Sequence, residues 1–135
     1  MRRRLLSSCF AFCLLTSLAS SQSIAVLHYA GGGDWYSNPT ALPGLIDFCN
    51  TNIGTTLAPE PEVVTASDPR LFTFPLIHMT GHGNVFFSEQ DKGYLREYLS
   101  SGGFIHIDDN YGMDPYIRPI LQSIFAEAPL LTLPI

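Results

Sequence analysis

Basic side chains are scarce in this chain. Seven Lys and Arg stand against twelve Asp and Glu in 135 residues, and Arg2, Arg3 and Arg4 account for three of the seven. Beyond that N-terminal cluster four basic residues face twelve acidic ones, a formal net charge of −8. Phosphate contacts need Lys and Arg, so nucleic acid is not an expected partner. Anionic membrane surfaces are disfavoured on the same ground.

Cysteine is also nearly missing. Cys9 and Cys13 lie in an N-terminal apolar stretch and only Cys49 follows it, so the rest of the chain cannot close an internal disulfide. Cys49 falls at helical spacing among apolar residues, which predicts a buried, unreactive thiol. No apolar run after residue 23 is long enough to span a bilayer. Compact metal-ligand spacings of the H-E-x-x-H kind are absent, and no metal is expected. There is no G-x-S-x-G elbow for a serine nucleophile. Gly31-Gly32-Gly33 is followed by Asp34, whose charge repels phosphate, and not by the Lys of a phosphate-binding loop.

What is present begins with a three-part leader: Arg2–Arg4, an apolar stretch from Leu5 to Leu18, and the small polar tail Leu18-Ala19-Ser20-Ser21-Gln22-Ser23. This is the pattern of a secretory signal. Fourteen residues are short of the roughly 20 that a span needs. The expectation is a signal peptide over 1–23, cleaved to leave a secreted or periplasmic protein, and a single α/β domain over 24–135. Hydrophobic residues at 46% and charged ones at 14% supply ample core.

Apolar runs and helical periodicities alternate along that domain. Ile24–Tyr29, Glu62–Ala66, Phe74–Thr80, Phe104–Ile107 and Leu130–Leu133 are predicted strands. Leu42, Leu45, Ile46, Cys49 and Ile53 mark a helix that Asn38-Pro39 opens. Ser67-Asp68-Pro69 opens one helical turn, and Ser88 with Asp91 forms a capping box for a second helix that Gly102-Gly103 ends. Pro115 starts a third, with Ile117, Leu121, Ile124 and Phe125 on one face. Such alternation implies a parallel sheet covered on both sides, in the flavodoxin-like, doubly wound order. A chain that stops at a fifth strand suggests a domain that continues further.

Ligands of open parallel sheets bind beyond the carboxyl ends of the strands. Three such ends are densely polar: Gly31–Asn38, Gly81–Asn84 and Asp108–Gly112. The candidate ligand-binding residues are Asp34, Trp35, Tyr36, Asn38, Asn84, Asn110 and Tyr111; Asp108, Asp109 and His82 are the candidate acid–base groups. Each also has a structural role open to it: glycines as tight turns, aspartates as caps, aromatics as lids over the core. His28, His78 and His106 fall inside strands, as buried neutral rings or as a layer supporting the site.

The segments Gly31-Gly32-Gly33-Asp34-Trp35-Tyr36, Thr80-Gly81-His82-Gly83-Asn84 and His106-Ile107-Asp108-Asp109-Asn110-Tyr111-Gly112 together resemble a bacterial family known as domain of unknown function 4159. The resemblance covers essentially all of the chain after the leader. That family in turn looks like the class I glutamine amidotransferase-like fold, which implies a nucleophilic Cys directly after the strand that follows a Gly-Gly helix exit. Here that position is Asp108, so the resemblance implies the scaffold without its nucleophile. The expected function is a non-catalytic domain that binds a small molecule or an envelope protein. The alternative is a hydrolase, metal-assisted or not, using His82 with Asp108 or Asp109. No cofactor is indicated.

Overall fold

The computed structural model describes residues 22–134, so the expected signal segment lies almost wholly outside the described residues. Four strands and three helices alternate: β1 (Ala25–His28), α1 (Ala41–Asn52), β2 (Glu62–Thr65), β3 (Leu76–His82), α2 (Glu89–Ser100), β4 (Phe104–Tyr111) and α3 (Asp114–Ile124). A 3-10 turn over Pro69–Thr73, capped by the Asp68 carboxylate, joins β2 to β3. The strands are parallel in the order β2-β1-β3-β4, the flavodoxin-like arrangement.

Two apolar layers follow from the alternation of side chains across each strand. Leu27, Val64, Ile77 and Met79 point to one face, where Leu95 and Tyr98 of α2 and Ile117 and Ile124 of α3 cover them. Ile24, Val26 and Leu76 point to the other, where Leu42 and Ile46 of α1 pack. A single helix covers this second face, and it does not reach across β4. Leu45, Phe48 and Phe104 are therefore left largely exposed.

Local chemistry sets the ends of α2. Ser88 Oγ accepts from Asp91 N (3.1 Å) while the Asp91 carboxylate accepts from Ser88 N (3.0 Å), the reciprocal capping box expected from the sequence. The chain then returns to β4 through Gly103, where an added Cβ would lie 2.3 Å from the Tyr98 ring. That close approach lets the Tyr98 hydroxyl donate to the carbonyls of Phe74 (2.9 Å) and Phe104 (3.2 Å), stapling α2 to the starts of β3 and β4.

Four expectations need correction. First, β3 runs on through His82 and β4 through Tyr111, so two polar segments read as loops are strand. Gly, Asp and Asn are poor strand formers alone, but the two strands pair continuously, with one irregularity at Gly81/His82. Second, Leu130–Leu133 forms no strand; Leu131 and Leu133 are exposed and flanked by Pro129 and Pro134, which donate no ladder hydrogen bond. Third, α1 starts at Ala41, because Asn38 sits at φ +56°, outside helical space. Fourth, Cys49 is half-buried rather than enclosed. Among the described residues no helix is long and apolar enough to cross a membrane.

Candidate functional site

The first polar segment leaves β1 and is laid directly on the end of β3. Gly33 N donates to the Asn84 carbonyl (3.1 Å) and Phe86 N to that of Ala30 (2.7 Å). A Cβ on Gly33 would fall 2.6 Å from the Asn84 oxygen, so only glycine permits the approach. This seating carries Asp34 over His82. One carboxylate oxygen of Asp34 accepts from His82 N (2.5 Å) and the other meets His82 Nδ1 (2.8 Å). Gly81 completes the fit: at φ +144°, its α-carbon faces the Tyr29 hydroxyl, which would stand 2.2 Å from any Cβ. That hydroxyl instead donates to the Thr80 carbonyl at 3.0 Å.

The electrostatics follow from these contacts. The main-chain N–H of His82, and then its imidazole, hold the Asp34 carboxyl below the usual carboxylate range against the opposing effect of burial. Burial, and then the Asp34 charge, push the Tyr29 hydroxyl up to about 12. An ionised Asp34 opposite Nδ1 makes that nitrogen the donor and leaves Nε2 with the free lone pair in the neutral ring. The His82 side chain is 54% exposed, so this nitrogen is available to a ligand.

A second polar array lies beside the pair. Asn38 Nδ2 donates to Asn110 Oδ1 (2.8 Å) and reaches Thr80 Oγ1 (3.5 Å), while Asn110 Nδ2 donates to Ser37 Oγ (3.0 Å). The left-handed turn at Asn38 is thereby tied to β4. Trp35 is half-buried and lies over the His28 ring at a centroid distance of 4.3 Å, with Tyr36 edge-on to it. It acts as a lid over the end of β1. Tyr36 and Tyr111 are exposed. Asn84 supplies its main-chain carbonyl to Gly33 and is otherwise open to solvent.

The adjacent aspartates part company because β4 persists through them. Asp109 turns to the α3 side and accepts from Met113 N and Asp114 N, both at 2.9 Å. It is the cap that α3 lacks at its own first position, and it leaves the candidate site. Asp108 turns to the α1 side, where it lines a cavity with His78 and His106. Its register partner is Thr80, two residues before His82, so both lie at one end of the sheet, yet among the described residues no hydrogen bond joins them. Asp34 with His82 and Asn38 with Asn110 are thus brought together, whereas Asp108 and Asp109 each go elsewhere.

Ser37, Thr80 and Tyr29 were not singled out from the sequence. Ser37 and Thr80 each lie within two residues of a glycine or asparagine of the polar motifs. That proximity is the one signal that could have found them. Among the described residues, no three His, Cys, Asp or Glu groups are arranged to hold a metal ion.

The three polar segments fall inside residues 23–135, which match the family model of a domain of unknown function, DUF4159. The chain belongs to the DUF4159 family. No curated protein matches it. In this DUF4159 domain, the groups placed to meet a ligand include the His82 imidazole backed by Asp34, the Asn38–Asn110 pair, the exposed Asn84 side chain and the exposed Tyr36 and Tyr111 rings. Together they supply an acceptor, paired amide groups and flat apolar faces, with no Lys or Arg among them.

Proposed function

We propose that this DUF4159 domain is an exported, non-catalytic binding domain on an amidotransferase-like scaffold. It takes a small molecule or an envelope protein at the carboxyl ends of β1, β3 and β4. The observation that carries this reading is the Asp34–His82 pair: a half-exposed imidazole, oriented by a carboxylate, at the ligand edge of a parallel sheet. Among the described residues no Cys or Ser side chain is hydrogen-bonded to His82, and the Ser37 hydroxyl is engaged by Asn110 (3.0 Å). Asp109 is committed to α3, and Asp108 opens into a different cavity.

The same pair favours one second reading. A carboxylate that orients an imidazole is a general-base arrangement, so a hydrolase using His82, with Asp34 as its orienting partner, has geometric support. Two measurements separate them. Thermal-shift screening against disaccharides, amino acids and dicarboxylates is expected to give at least one stabilising compound, whose effect His82→Ala removes. A ligand at 100-fold its Kd adds about 2.7 kcal/mol of stability, which such a scan resolves. Turnover of nitrophenyl acetate, phosphate or glucoside, with or without added zinc and lost in both His82→Ala and Asp34→Asn, overturns the non-catalytic reading. Export is tested by fusing residues 1–23 to a reporter enzyme active only outside the cytoplasm. An inactive, cytoplasmic fusion refutes that part.

A further inference from the structure

The α1 side of β3 and β4 holds polar groups that the site above does not use. His78 and His106 are register partners on the two strands, and Asp108 lies two residues beyond His106 on the same face. The imidazole rings are near-parallel, 5.1 Å apart at an interplanar angle of 13°, with Nδ1 facing Nδ1 at 3.0 Å. One proton is shared across that contact, since one nitrogen must donate and the other accept. His78 is more than nine-tenths buried, and its other nitrogen, Nε2, is enclosed with no hydrogen-bond partner. A buried orphan of this kind marks a missing partner. Among the described residues no hydrogen bond or ion pair reaches the half-buried Asp108 carboxylate. Its charge acts on the His78 ring, but burial keeps that ring's pKa low, so His78 brings no compensating charge at neutral pH.

These three residues form the polar end of a cavity of about 310 Å³. Leu42 and Leu45 of α1, Leu76 of β3 and Phe104 of β4 form its apolar walls. The volume is at the lower limit of small-molecule sites, roughly 300–1,000 Å³, and apolar walls with a few convergent polar groups are their usual make-up. A half-buried carboxylate with no hydrogen-bond partner, beside a buried imidazole with an orphaned nitrogen, calls for a donor carrying positive charge. The net charge of −8 beyond the leader attracts the same species.

We infer that this cavity is a second ligand site, distinct from the Asp34–His82 edge, for a small organic ammonium compound. The ammonium group pairs with Asp108 and donates to the imidazole pair. The apolar body lies between Leu42, Leu45, Leu76 and Phe104. An organic carboxylate of the same shape is excluded by Asp108, and a neutral alcohol binds only through the walls.

Calorimetric titration of the protein with phenethylammonium, phenylpropionate and phenylethanol tests the inference. Phenethylammonium is expected to bind, phenylpropionate not to bind, and phenylethanol to bind more weakly. The near-isosteric Asp108→Asn is expected to weaken phenethylammonium by roughly 10- to 100-fold, the range for a hydrogen bond to a charged group. Leu45→Trp, on an exposed part of the wall, blocks the cavity independently of Asp108 and is expected to abolish binding. Ring ¹⁵N resonances of His78 and His106 are expected to shift on titration, while those of His82 stay fixed. The inference is overturned by absence of phenethylammonium binding, by equal affinity for all three probes, by an unchanged affinity in Asp108→Asn, or by shifts confined to His82.

Discussion

Replacing Asp109 by Ala removes the acceptor of two main-chain N–H groups at the start of α3, those of Met113 and Asp114. No other side chain caps that helix, so both donors turn to water when the carboxylate is gone. Loss of a capping side chain costs about 0.5–2 kcal/mol, and the favourable placement of a negative charge at a helix N-terminus adds about 0.3–1 kcal/mol where exposed. A total of about 2 kcal/mol is expected for Asp109→Ala. In a domain of this size that lowers Tm by roughly 8 °C. The neighbouring change, Asp108→Asn, breaks no hydrogen bond and is expected to leave Tm within roughly 2 °C, the scatter of surface substitutions. Paired melting curves followed by circular dichroism at 222 nm make the comparison. Near-equal melting temperatures for the two variants would refute the assignment of Asp109 to α3 and return it to the candidate site.

Other consequences are as direct. Gly81→Ala forces a Cβ against the Tyr29 hydroxyl at positive φ and is expected to cost about 3 kcal/mol in urea unfolding; adding Tyr29→Phe should recover part of it, and no recovery refutes the clash. Tyr98→Phe removes the one O–H shared between the Phe74 and Phe104 carbonyls and is expected to lower the unfolding free energy by about 1–2 kcal/mol. His78 is held neutral in the fold by burial, by the His106 charge it would face on protonation, and against the pull of Asp108. Below its ordinary value near 6.5 the unfolded chain therefore binds a proton that the folded chain refuses, and stability falls as pH drops through that value. His78→Gln is expected to flatten this slope, measured as Tm between pH 7.5 and 5. Asp34 acts lower on the scale. Its folded pKa is depressed, so its contribution is present above the ordinary carboxylate value and is lost as pH falls below about 4; Asp34→Asn removes that acid limb.

Much of the architecture is legible in the residues alone. Near-continuous apolar runs at β1, β2 and β3 and helical stripes around Leu42, Leu95 and Ile117 define elements that local burial dictates, and Ser88 with Asp91 announces a helix start by itself. The strand ends were less legible. Asp109, Asn110 and Tyr111 read as a loop by propensity, yet β3 supplies the pairing that keeps them extended. Leu130–Leu133 reads as a strand by composition, yet finds no pairing in the described chain.

The sequence by itself determined the alternation of strands and helices, the acidity that turns away phosphates, and the three polar segments from which a site is assembled. Tertiary structure alone decided which of those side chains meet. Asp34 and His82 are 48 positions apart and become partners only because glycines let one strand exit lie across another. Asp108 and Asp109, neighbours in the chain, are sent to opposite sides by the pleat of β4, one toward a histidine-lined cavity and one onto a helix end. Local patterning reports which face of its own element a residue occupies. What stands opposite that face is set by pairing and packing between segments far apart in the chain, and no single window of residues encodes it.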